Sequence, residues 1–233
     1  MPETGRAGRD IEFASGTAGE SVRGYLALPA SGRGPGVIVI QEWWGLVDHI
    51  RSLCDRLARE GFVALAPDLY RGESTNDPDR AGRLMMGLEI PRAARDLDAA
   101  VVALQSQAAV SSAKVGAIGF CMGGQLALFA ATRNRRIGAV VDCYGVHPNV
   151  KLDLEGLEAA VLGIFAERDS FVPPEAARKL ESDLRAAGKR VHVTIYPGVD
   201  HAFLNDTRPD VYHAETASRA WAEAVSFLRA ELA

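Results

Sequence analysis

Apolar residues recur along this chain in two rhythms. The runs Gly36–Ile40, Val63–Ala66, Lys114–Ile118, Ala139–Val141, Ala160–Phe165 and Val191–Tyr196 are short and rich in Val, Ile, Ala and Leu. Most are continuous, as expected of strands covered on both faces. Ile11–Ala14 and Val22–Leu28 precede them, and the short glycine-containing turn between them predicts an antiparallel pair. Longer patterns predict helices over Asp48–Arg59, Gln125–Arg133, Pro174–Ala187 and His213–Leu232, with one extended helical region from about Asp77 to Gln107. In the last helix Ala217, Trp221, Val225 and Leu228 form an apolar stripe. Pro174 suits a first helical turn, where its missing N–H costs nothing.

Strands alternating with helices, after an initial antiparallel pair, predict a mostly parallel sheet with helices on both faces. No internal repeat or low-complexity segment interrupts the series. The polar loop Arg71–Arg80 is flanked by the same alternation, so residues 9–233 read as a single domain behind a flexible segment 1–8.

Bulk properties narrow the partners. A net charge of −4, without a long basic or acidic run, argues against nucleic acid or an anionic membrane surface. No apolar run approaches the roughly 18 residues of a membrane span. The opening MPETGRAGRD lacks an apolar core of the signal-peptide kind, and a cytoplasmic protein is expected. Oligomeric state, monomer or homodimer, stays open. Cys54, Cys121 and Cys143 are few and contain no CxxC pair, which disfavours a disulfide framework or structural zinc. Histidines and carboxylates show no metal-ligand spacing, so neither a metal nor a cofactor is expected.

In an open parallel sheet, ligands gather at the carboxyl ends of the strands. The segments found there are QEWWG from Gln41, GFCMGG from Gly119, DCYG from Asp142, AERDSFVP from Ala166 and PGVDHAF from Pro197. Gly119-Phe120-Cys121-Met122-Gly123 has the form of a strand–turn–helix nucleophile elbow, with an apolar strand before it and a helical pattern after. Small flanking residues let strand and helix approach, and a helix N-terminus favours a thiolate. Its amides can also donate to an oxyanion. A dinucleotide site, with Asp142 as the ribose-binding acid, is the rival class, but GAIGFCMGG does not match GxGxxG.

A nucleophile needs a base, and the base an orienting group. His201 and Asp169 follow the last two predicted strands, giving the chain order nucleophile, acid, histidine. Asp200 reads as a loop residue, and Glu167 and Arg168 as surface. His49 and His213 read as helix-face residues, His192 as a strand residue and His147 as a loop residue. Glu42, directly after a buried central strand, is costly unless paired. An arginine of the long helical region is one partner; a role beside the thiol is the other.

QEWWG, APDLYRG, VGAIGFCMGG, YGV, DSFVP and GVDHAF, in this order, resemble the dienelactone hydrolase family over about Val22–Leu228. The resemblance implies an α/β-hydrolase fold of about eight strands and a catalytic triad of Cys121, His201 and Asp169. It implies that Glu42 holds the resting thiol, and that amides of Trp43 and Met122 form the oxyanion hole. Trp43, Trp44, Phe120, Tyr144 and Phe203 are candidates for lining an apolar pocket. One departure stands out. The family's arginine four residues after the histidine, a clamp for a substrate carboxylate, is Asn205 here. Arg80 and Arg83 are loosely alignable with a second such arginine, and Arg208 lies close in sequence to the first. The expected activity is hydrolysis of a small ester or lactone through a thioester. A short-chain esterase or thioesterase, and a non-catalytic binding protein, are the alternatives.

Overall fold

The computed structural model describes residues 8–233. The expectation of a flexible segment over 1–8 therefore falls outside the described residues except at Gly8, which already opens the first strand. Eight strands form one sheet: β1 (Gly8–Ala14), β2 (Ser21–Ala27), β3 (Gly36–Ile40), β4 (Val63–Pro67), β5 (Val115–Phe120), β6 (Ile137–Cys143), β7 (Ala160–Ala166) and β8 (Val191–Tyr196). Their order is β1-β2-β4-β3-β5-β6-β7-β8. β1 with β2 and β2 with β4 are antiparallel, and every later pair is parallel. β3, β4, β5 and β7 are buried along their whole length, which is why their sequences do not alternate.

The helices are α1 (Asp48–Arg59), α2 (Pro78–Met86), α3 (Ile90–Gln105), α4 (Met122–Arg133), α5 (Pro174–Ala186) and α6 (Ala214–Glu231). The extended region after β4 is thus two helices, not one. Gly87 closes α2, while Pro91 sits in the first turn of α3, where the missing N–H has no helical partner to lose. Asp77 caps α2, its side chain accepting from Arg80 N at 2.7 Å. The helix after the elbow starts at Met122, three residues before its predicted start, because Gly123 and Gly124 are part of its first turn. α1 and α6 meet through Arg56, which lies 4.2 Å over the Trp221 ring.

After β3 the chain moves outward to β4, and after α3 it returns to the other side of β3 as β5. β3 and β5 therefore flank the point where strand order reverses, and a crevice opens beyond their carboxyl ends. Ile40 pairs with Gly119 across that boundary, so Glu42 and Cys121 emerge side by side.

Candidate active site

Cys121 stands between β5 and α4 at φ 53° and ψ −124°, in a region that a residue with a Cβ rarely adopts. Such a conformation costs on the order of 1–3 kcal/mol and persists only when its surroundings enforce it. Here they do. Cys121 N donates to Cys143 O at 3.0 Å, and Cys121 O accepts from Gly124 N at 2.9 Å and Val146 N at 3.2 Å. A Cβ on Gly119 would overlap the Gly123 carbonyl, and one on Gly123 would meet Ile40 O and Gln41 O. Glycine is required at both. The amides of Trp43 and Met122 donate to no other group among the described residues.

Asp169 is buried in the loop after β7. Its Oδ1 accepts from the amides of Phe171 and Val172, both at 2.8 Å, and its Oδ2 lies 2.7 Å from His201 Nδ1. The loops carrying acid and histidine are stitched together. Arg168 N donates to Val199 O at 3.0 Å, and Gly198 N to the Glu167 carboxylate at 2.8 Å. Glu167 is exposed, as its surface reading has it, and its role is to hold the histidine loop. Burial works against the imidazolium of His201, but hydrogen bonds with Asp169 and Cys121, and their negative charges, outweigh it and push the group up to about 10. The carboxylate holds the imidazole, and the imidazole and the thiol both line one cavity.

Glu42 is only 1% exposed. Its Oε2 accepts from Asn205 Nδ2 at 2.7 Å, and Oε1 has no partner among the described residues. Burial raises its pKa above the ordinary carboxylate range, against the lowering influence of His49, His201, Asn205 and Arg208. The arginine partner from the long helical region is not what it meets. Tyr144, with φ 44°, lies beneath the site, its ring 5.0 Å from that of His201 and 5.9 Å from that of Phe203.

Cys121, His201 and Glu42 open into a cavity of about 220 Å³, whose other walls include Trp43, Trp44, Met85, Val146, Phe171 and Arg208. Larger clefts exist elsewhere. One of about 590 Å³ is lined by Asp10, Glu12, Asp68 and Glu73 with Arg23 and Arg51, a charged set with no cysteine or histidine, so chemistry and not size selects the smaller cavity. Of the residues considered for substrate contact, Trp43 lines this cavity, whereas Tyr144 and Phe203 are fully buried behind it. Phe120 is likewise buried core. Asn205 is taken up by Glu42. Arg80 is on the surface with Glu73, at 3.1 Å. Arg83 lines a separate cleft with Tyr70, Arg71 and Arg92. Arg208 is the cation the fold brings to the cavity, but Asp210 holds it at 2.5 Å, and it lies 5.9 Å over the Trp44 ring. Met85, Val146 and Phe171 escaped sequence reading. Only Phe171 left a signal there, as a large aromatic in a polar loop two residues after Asp169.

The rival nucleotide acid, Asp142, is buried against the backbones of Gly124 and Gly145 and faces no opening. Among the described residues no three His, Cys, Asp or Glu side chains are grouped to hold a metal ion. No helix there is long and apolar enough to cross a membrane.

Comparison with known proteins places this geometry in context. A family model described as the dienelactone hydrolase family matches residues 22–232. Protein usf of Aquifex pyrophilus is 41% identical over 229 residues, spanning 95% of this chain and 98% of that protein. A protein of Aquifex aeolicus provisionally named a carboxymethylenebutenolidase is 38% identical over 232 residues, spanning 97% and 99% respectively. A crystal structure from Klebsiella pneumoniae, provisionally called a dienelactone hydrolase, superposes with a TM-score of 0.84 at 31% identity, covering 95% of this chain and 98% of that one.

Proposed function

The chain belongs to the dienelactone hydrolase family, with its α/β-hydrolase fold and carboxylic ester hydrolase activity, and on that premise we propose that Cys121, His201 and Asp169 cleave a small, uncharged ester or lactone through a thioester. The observation that carries the proposal is the meeting of three side chains remote in sequence. Asp169 Oδ2 holds His201 Nδ1 at 2.7 Å, which leaves Nε2 for the thiol at the elbow.

The steps balance as follows. Cys121 thiolate attacks the carbonyl carbon, and the oxyanion takes hydrogen bonds from the amides of Trp43 and Met122. The C–O bond breaks, and imidazolium at His201 gives its proton to the leaving oxygen. The neutral imidazole next takes a proton from water while the hydroxyl adds to the thioester carbonyl. Collapse expels the Cys121 thiolate and releases the acid, and His201 is again imidazolium. Asp169 keeps the ring oriented and stabilises its charge throughout. Glu42 serves the stage before: it takes the proton from the resting thiol and so generates the nucleophile.

An uncharged substrate follows from the walls. Glu42 brings the one carboxylate of the described cavity lining, and its one guanidinium, Arg208, is paired with the exposed Asp210 at 2.5 Å. A bidentate clamp for a substrate carboxylate is missing from the cavity wall. Trp43, Trp44, Met85 and Val146 offer apolar surface instead. Short-chain esters and thioesters fit the same walls. The test is turnover of p-nitrophenyl acetate by the Cys121→Ala protein. Loss of hydrolysis with an unchanged far-UV spectrum supports the proposal, and retained turnover rejects it.

A further inference from the structure

The helix α2 borders two cavities. Pro78 and Met85, two turns apart on one face, line the cavity that holds Cys121 and His201. Leu84 and Gly87 line a separate cleft of about 310 Å³. Ala81, between Pro78 and Met85, is the one residue the helix buries. Met85 packs against the core, whereas Met86 beside it is 51% exposed.

So lightly buried a helix is nevertheless held at both ends. Thr75 N donates to Trp44 O at 3.0 Å, and Ser74 bridges to Gly45. The strap leading into α2 therefore lies along the turn that carries the Trp43 amide. At the far end, the imidazole of buried His147 stands against the Met85 backbone. Val146, the residue before it, lines the same cavity as Met85.

A wall fixed in this way limits what the cavity can hold. Its volume of about 220 Å³ lies below the roughly 300–1,000 Å³ of pockets that take drug-sized ligands. The substrate's two halves also have separate places. His201 gives its proton to the leaving oxygen, so the leaving group lies on the side of His201, Ala202 and Phe171. The acyl chain is left with Pro78, Met85 and Val146.

We propose that Met85 is a specificity-determining residue that sets acyl chain length: its side chain closes the acyl end of the cavity, admitting short chains and turning longer ones away. The inference rests on the ester-hydrolase reading of this cavity, but not on which group is the nucleophile. No bond changes at Met85, which acts only through contact with the chain. A thioether side chain is unbranched and adaptable, so the limit is a gradual decline with length and not a sharp step.

The test is kcat/KM for p-nitrophenyl esters from acetate to octanoate in wild type, Met85→Ala and Met85→Trp, beside a series of alkyl acetates from methyl to hexyl. Alanine removes Cγ, Sδ and Cε and makes room for about two methylenes, each worth about fourfold when buried. The hexanoate-to-acetate ratio is therefore expected to rise about tenfold or more in Met85→Ala and to fall in Met85→Trp, with the alkyl acetate profile unmoved. Acyl profiles that superpose on wild type, or a loss uniform across all lengths, overturn the assignment. A shift confined to the alkyl acetates overturns it too, since Met85 then meets the leaving group. If Met85→Trp does not fold, Met85→Ala, a truncation at a partly buried position, decides alone by the same criterion. Wild type that turns over no ester defeats the hydrolase reading and this inference with it. Normal turnover with unshifted profiles defeats the role of Met85 only.

Discussion

Asn205 Nδ2 donates to Glu42 Oε2 at 2.7 Å, joining the loop that carries the histidine to the loop that carries the glutamate. Both residues are 1% exposed, and Asn205 Oδ1 is itself held by the amide and hydroxyl of Thr207. The amide is therefore fixed at both ends. At the place where the family's carboxylate-gripping enzymes carry an arginine, this chain spends its side chain on Glu42. Asn205→Ala strands a buried carboxyl oxygen and is expected to cost about 1–3 kcal/mol, read from the midpoint of urea unfolding. It is also expected to lower kcat more than it raises KM, because the role proposed for Glu42 is toward the thiol and not the substrate. A change in KM alone would show that Asn205 contacts substrate.

Charge selectivity tests the reading of the cavity walls. Hydrolysis of p-nitrophenyl acetate is expected to exceed that of p-nitrophenyl hemisuccinate in kcat/KM, since Arg208 is already paired. Asp210→Asn frees that guanidinium from an exposed partner and should shift the ratio toward the anionic ester without loss of stability. An unaltered ratio would mean that Arg208 does not sense the substrate.

Phe171 is 61% exposed at the mouth of the cavity, with its ring 5.0 Å from that of His201. An exposed aromatic beside the proposed catalytic histidine offers a platform for the acyl or leaving group. Phe171→Ala should raise KM severalfold for aryl esters, with kcat changed less and folding stability unmoved. Equal KM values would remove it from the binding surface.

The elbow glycines make a purely steric prediction. Gly119→Ala drives a methyl group into the Gly123 carbonyl, and that backbone packs closely on the end of β3. Overpacking of this kind costs about 1–3 kcal/mol or more, and a sharply lower urea midpoint or insoluble protein is expected. A wild-type midpoint would mean that strand and helix part more easily than the contacts imply.

Stability should also carry the mark of the ion pair. The folded-state pKa of His201 is raised from the ordinary 6.5 to about 10, so its contribution is fully present below the unfolded value and is lost as pH climbs through the folded one. Unfolding free energy should therefore fall between those limits, and Asp169→Asn should flatten the decline. Parallel slopes in the two proteins would place the pH dependence elsewhere.

Much of the site could be read from residue order because strand ends, not distances along the chain, decide what meets. Cys121, Asp169, His201 and Glu42 each follow a strand, so topology alone predicts their convergence at one sheet edge. The split at Gly87–Pro91 escaped because α2 and α3 both keep helical periodicity, and the break is a matter of three residues. The start of α4 at Met122 escaped for the opposite reason. Glycines that disfavour a helix by propensity are kept there by close packing, Gly123 against the end of β3 and Gly124 against the end of β6. The contents of the cavity wall were least legible. Whether Arg80, Arg83 or Arg208 reaches it depends on loop paths and on ion pairs with Glu73 and Asp210 that no periodicity encodes. His49 looked like an ordinary helix residue for the same reason, since its partner, Asp206, lies 157 residues away.

Intact-protein and peptide mass spectrometry after rapid acid quench of a reaction with p-nitrophenyl acetate interrogates the nucleophile itself. An acetyl group on the peptide containing Cys121, labile to hydroxylamine and absent from Cys121→Ala, is the predicted result. Turnover of the same ester with the acetyl group on another residue, or with a Cys121→Ala protein still active, would contradict it.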